Sequence, residues 1–86
     1  MENAEIVADQ ELDVRGLQCP MPMVRASQTV RGMESGQVLR VLATDRGSVP
    51  DFQAWAKRDR TIELLKQEEQ KQPDGTVVYV HYVRRR

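Results

Sequence analysis

The chain has 86 residues, with 13 basic and 13 acidic side chains and a formal net charge of zero. It is 40% hydrophobic and 30% charged. That length suits one small domain with a thin core. The balance excludes a disordered chain and leaves no excess of positive charge for nucleic acid or an anionic membrane.

No stretch approaches the roughly 18 apolar residues of a membrane span. The first residues, MENAEIVADQELDV, lack the basic start and apolar run of a signal peptide, so a cytoplasmic location is expected. The single cysteine excludes an internal disulfide, and one cysteine with one histidine is too few for a protein-only zinc site. No metal and no cofactor are therefore expected.

Residues 1–10 are polar and aperiodic and predict a flexible tail, with one domain over 11–86. Leu12 and Val14 alternate with Asp13 and Arg15, as in a short half-buried strand that Gly16 ends. From Pro20 the period changes. Met23, Ala26, Val30 and Met33 fall on one helical stripe, with Arg25, Gln28 and Arg31 off it. Gly32 and Gly36 bracket the helix exit. QVLRVLATD reads as a strand with neighbours on both sides.

A second helix opens in DRGSVPDFQAWAK. Ser48 and Asp51 have the spacing of a capping box, Pro50 falls in the first turn, and Phe52, Trp55 and Ala56 share a core face. Residues 61–70 are ambiguous, because Ile62 and Leu64 alternate but Leu65 breaks the pattern. The Pro73-Asp74-Gly75 turn and the β-branched run after it, TVVYVHYV, require a hairpin partner, so this segment is predicted to be a strand. His81 reads as a surface or core residue of that last strand, and Arg84–Arg86 as a solvated basic end. The predicted fold is α+β: a two-layer α/β sandwich of β-α-β-α-β-β order, its four-stranded mixed sheet carrying two helices on one face.

The chemistry concentrates at RGLQCPMP. If the helix starts at Pro20, Cys19 is its N-cap. Pro20 suits the first helical position, and Pro22 still lies in the first turn, where no intrahelical N–H bond is lost. Gly16 frees the strand-to-helix turn. A helix N-terminus favours a thiolate, although the dipole alone lowers a thiol pKa by at most ~1.5 units. That predicts a presented, mildly activated thiol with no neighbouring base, suited to being loaded and unloaded by other proteins.

Leu12-Asp13-Val14-Arg15-Gly16-Leu17 followed by Cys19-Pro20-Met21-Pro22 resembles the TusA family of small sulfur carriers, also called SirA-like. Gly36, Asp45 and GSVPDFQAWAK add to a likeness that runs from about residue 11 to the C-terminus. The resemblance implies the sandwich fold above and a persulfide on Cys19, relayed between protein partners rather than used by a stand-alone catalyst. The partners it implies are a persulfide donor of cysteine desulfurase or rhodanese type and a sulfur acceptor. The pathways open to such a carrier are tRNA thiolation, molybdenum-cofactor maturation, sulfur oxidation and selenium metabolism. Met21 would give the thiol an apolar rim, and Arg25 and Arg46 are candidate docking residues for an acidic partner. The alternative is a nucleic-acid-binding or regulatory module without sulfur chemistry, for which zero net charge and a single phenylalanine are poor credentials.

Overall fold

A computed structural model describes residues 6–86; of the predicted tail, residues 1–5 lie outside the described residues. Six elements follow in the expected order: β1 (Gln10–Asp13), α1 (Met21–Arg31), β2 (Val38–Ala43), α2 (Ser48–Arg58), β3 (Ile62–Lys71) and β4 (Val77–Arg85). They form one four-stranded sheet of order β1-β2-β4-β3. β1 and β2 are parallel, joined across α1, while β4 runs antiparallel to both β2 and β3. The α+β sandwich is thus the fold.

Alternation along the strands decides where the core lies. Leu39, Val41 and Ala43 of β2 point to the helix layer with Ile62 and Val83, and meet Ala26 and Val30 of α1 and Phe52 and Trp55 of α2. Phe52 and Trp55 pack edge to face, with ring centroids 5.7 Å apart. Full burial of side chains of this size contributes roughly 1.5–3 kcal/mol each. Arg40 falls on the opposite face of the sheet, where it pairs with Glu11 at 3.3 Å. Glu63–Arg84 at 2.6 Å and Lys66–Glu68 at 2.8 Å add further ion pairs to β3 and β4.

The ambiguous segment is a strand, paired along its length with β4, and a bulge accounts for its irregular pattern. Leu64 pairs with Val83 and Lys66 with Tyr82, so Leu65 is the extra residue. One inserted residue shifts the alternation by one and makes an ordinary strand look aperiodic. At the other end of the domain, the sheet begins before the predicted start at residue 11. Asp9 donates its backbone N–H to Val38 O at 2.8 Å and accepts the Val38 N–H on its carboxylate.

The terminal arginines keep solvent contact, Arg86 exposed and Arg84 and Arg85 half-buried, and each also bonds to the fold. Arg84 pairs with Glu63. Arg85 Nη1 donates to Val30 O near the end of α1 at 3.1 Å, a carbonyl that also accepts the Met33 N–H. Arg86 Nε donates to Ile62 O at 3.1 Å. No helix among the described residues is long and apolar enough to cross a membrane.

His81 is a core residue with no exposed surface. Its ring stacks on Phe52 with centroids 4.1 Å apart. Gln67 Nε2 lies 3.1 Å from Nδ1, and the Ser48 hydroxyl lies 2.9 Å from Nε2. The amide can only donate, so Nδ1 accepts and the ring proton sits on Nε2, donated to Ser48. Burial pushes its pKa down to about 4. His81 therefore ties the first residue of α2 to the centre of the sheet as a neutral imidazole.

Candidate functional site around Cys19

Parallel pairing of β1 and β2 has a direct consequence for the site. Both strands deliver the chain to a helix from the same edge of the sheet, so the starts of α1 and α2 come together there. Gly16, at φ +89°, makes the turn after β1, and its N–H donates to Thr44 Oγ1 just beyond β2 at 2.9 Å. Leu17 packs against the core and anchors the turn. Cys19 follows, exposed, joined to Pro20 by a cis peptide bond.

The helix begins one residue later than the sequence predicts. Pro20 is the N-cap and Met21 the first helical residue, so Cys19 stands just outside α1 rather than capping it. Pro20 lacks an N–H, and its carbonyl accepts from Val24 at 3.1 Å, closing the first turn. Pro22 sits within that first turn and is fully buried, which fixes the helix start against the core.

The second helix supplies what the sequence does not display. Its N-cap is Gly47, and Ser48, the first helical residue, accepts the His81 Nε2–H on its hydroxyl instead of capping. The expected box therefore does not form, and Asp51 is free to turn elsewhere. Its Oδ2 accepts a hydrogen bond from the Cys19 thiol. Asp45, in the loop ahead of α2, accepts the Cys19 backbone N–H at 2.6 Å. Gly47 fills the remaining side. A Cβ built there would lie 3.3 Å from Cys19 Cβ, 3.7 Å from Sγ and 3.2 Å from Asp45 Oδ2.

These partners reverse the expected electrostatics. The hydrogen bond to Asp51 raises the Cys19 pKa, desolvation adds to it, and the charges of Asp51 and Asp45 act in the same direction. A donor bond from a neutral thiol stabilises the protonated form, and nearby carboxylates oppose the anion. The resting site is a presented neutral thiol, not a mildly activated thiolate.

Of the candidate docking residues, Met21 is 40% exposed and adjoins the site in the chain. Arg46 lies next to Gly47 in an open cleft of about 490 Å³ lined also by Val49, Pro50, Glu69 and Tyr79. Arg25 is exposed on the next turn of α1. Cys19, Gly47, Asp45 and Asp51 form one cluster, whereas His81 is tied to α2 through Ser48. The described residues contain no grouping of three or more His, Cys, Asp or Glu able to hold a metal ion.

The family described as Sulfurtransferase TusA matches residues 10–84. The chain belongs to the TusA family. The sulfur carrier protein TusA of Allochromatium vinosum is 55% identical over 62 residues, covering 72% of this chain and 80% of that protein. A candidate sulfur carrier of Halobacterium salinarum is 41% identical over 83 residues, covering 96% of each chain. The crystal structure of a SirA-like protein from Desulfitobacterium hafniense shares the fold at a TM-score of 0.61 and 27% identity, covering 86% of this chain and 95% of that one. TusA membership and the SirA-like fold agree with the resemblance carried by the Cys19-Pro20-Met21-Pro22 motif.

Proposed function

We propose that this TusA-family chain carries sulfane sulfur as a persulfide on Cys19 and relays it between proteins in the cytoplasm. The observation that carries the proposal is the placement of its one cysteine: exposed, just ahead of α1, held by Asp45 and Asp51 in a protein of the sulfur-carrier family. Loading is attack by Cys19 Sγ on the outer sulfur of a partner's persulfide. The Sγ–S bond forms, the partner's S–S bond breaks, and the partner leaves as a thiol. Unloading is the same exchange with Cys19 as the leaving group, so no net oxidant or reductant is needed.

The chain contributes presentation, and its partners contribute the rest. Gly16, Pro20 and Pro22 support the thiol, while Met21, Arg25 and Arg46 offer an apolar and basic surface to an acidic donor of cysteine desulfurase or rhodanese type, and then to an acceptor. The nucleic-acid alternative has less support, because the chain carries no net positive charge.

Intact-mass measurement after incubation with a persulfide donor tests the proposal. Wild type should gain one sulfur that reductant removes, and Cys19→Ser should gain none while keeping its circular dichroism spectrum. Sulfur retained on Cys19→Ser, or none taken up by wild type, would overturn it.

A further inference from the structure

Two features of the site remain unused by a simple carrier. The thiol donates to a carboxylate 32 positions away in the sequence, and that carboxylate belongs to the helix whose start His81 holds. Resting on the sulfur-carrier proposal above, we infer that Asp51 sets how readily Cys19 gives its sulfur away, by stabilising the unloaded thiol over the persulfide.

The exchange is Cys19–SH plus a persulfide RS–SH giving Cys19–S–SH plus RSH. On the left, Sγ carries a proton and donates it to Asp51 Oδ2. On the right, Sγ is bonded to sulfur and has no proton to donate. The outer sulfur of a persulfide is more acidic than a thiol and is ionised near neutral pH, so the loaded side chain places an anion beside two carboxylates. Both changes favour the left-hand side. One hydrogen bond to a charged acceptor is lost on loading, and one like-charge repulsion appears.

The charged groups acting on the thiol come from two elements: Asp51 from α2 and Asp45 from the loop before it, with Asp51 the larger influence. Asp45 bonds to the backbone N–H, which persists whether or not Sγ carries sulfur. Asp51 bonds to the reacting atom itself. Only Asp51 therefore separates the two states through a hydrogen bond. The consequence is a carrier that loads from a reactive persulfide and discharges readily to the next thiol. The carboxylate also keeps the empty thiol neutral, and a neutral thiol reacts slowly with stray electrophiles.

The test equilibrates the intact protein with glutathione persulfide and glutathione at fixed ratio and reads the loaded fraction by mass. At neutral pH, Asp51→Asn should move the loading constant toward the persulfide about tenfold, the low end for losing a charge-assisted bond at an exposed site. Asp51→Ala should move it the same way. The difference from wild type should shrink at alkaline pH, once the unloaded thiol also ionises and no longer donates. Alkylation of the unloaded thiol should shift to lower pH in both variants. A loading constant unchanged or moved toward the thiol overturns the inference, as does a difference that does not shrink at alkaline pH. Wild type that never loads defeats the carrier proposal itself, whereas variants that load like wild type defeat only the role given to Asp51.

Discussion

Acid should loosen this fold through His81, and the size of the effect can be worked from the structure. Burial lowers the His81 pKa from 6.5 to about 4, and no charged neighbour contributes to that shift. Between these values the unfolded chain binds a proton that the folded chain refuses. Stability is therefore complete above the unfolded pKa and is lost as pH falls toward the folded one. At about pH 4.5 the loss from this one group is about 2.5 kcal/mol, using about 1.36 kcal/mol per pKa unit. The ring has no exposed surface, so solvent screening does not reduce it. For a domain of this size it is a substantial share of a net stability of order 5–15 kcal/mol. The perturbation is His81→Gln, which removes the titration while keeping a side chain able to bond Ser48. Urea unfolding of both proteins at neutral pH and near pH 4.5 gives the answer. Wild type should lose about 2 to 3 kcal/mol more than the variant over that interval. Equal losses would show that His81 is protonated in the folded state, and that it does not hold the start of α2 as a neutral imidazole.

Further tests address the site and its partners. Gly47→Ala should fold, since Gly47 has helical backbone angles, but its Cβ would crowd Cys19 and Asp45. Protein-to-protein transfer by that variant should slow while its urea midpoint stays near wild type. Arg25→Glu should lower transfer from an acidic donor at limiting concentration and low salt, and leave loading by inorganic polysulfide intact, because exposed attraction is screened over roughly 8 Å at physiological ionic strength. Unchanged transfer would move the docking face away from α1. Arg85→Ala removes the donor to Val30 O, and should lower stability by about 1 kcal/mol in a urea melt without altering the loading of Cys19.

Much of this was legible in the chain because local signals and tertiary needs agree. The stripe of Ala26, Val30 and Met33, the dense apolar run of β2 and the Pro73-Gly75 turn each predict the element observed. Position along the helices was less legible. Cys19 reads as an N-cap because Pro20 suits the first helical turn, yet Pro20 itself is the cap and the thiol sits one residue outside. Ser48 and Asp51 have capping-box spacing, but tertiary partners take both side chains: buried His81 takes the hydroxyl and exposed Cys19 takes the carboxylate. No local pattern announces an acid that meets a thiol through the pairing of two parallel strands. The one available signal is topological. A β-α-β unit brings the residues just after both strands to one edge, so acids in TDRGSVPD were candidates to face QCPMP. The sign of the thiol's pKa shift depended on that meeting, which is why dipole reasoning alone predicted the wrong direction.

The most direct test of the carrier account follows the sulfur atom. A persulfide-bearing donor protein labelled with isotopic sulfur is mixed with this chain, the donor is removed, and a thiol acceptor is added. The label should appear on Cys19, one atom per chain, then leave for the acceptor while Cys19 returns to a free thiol, and Cys19→Ser should break the relay at its first step. Label reaching the acceptor equally well through Cys19→Ser, or remaining on Cys19 in the presence of the acceptor, would contradict it.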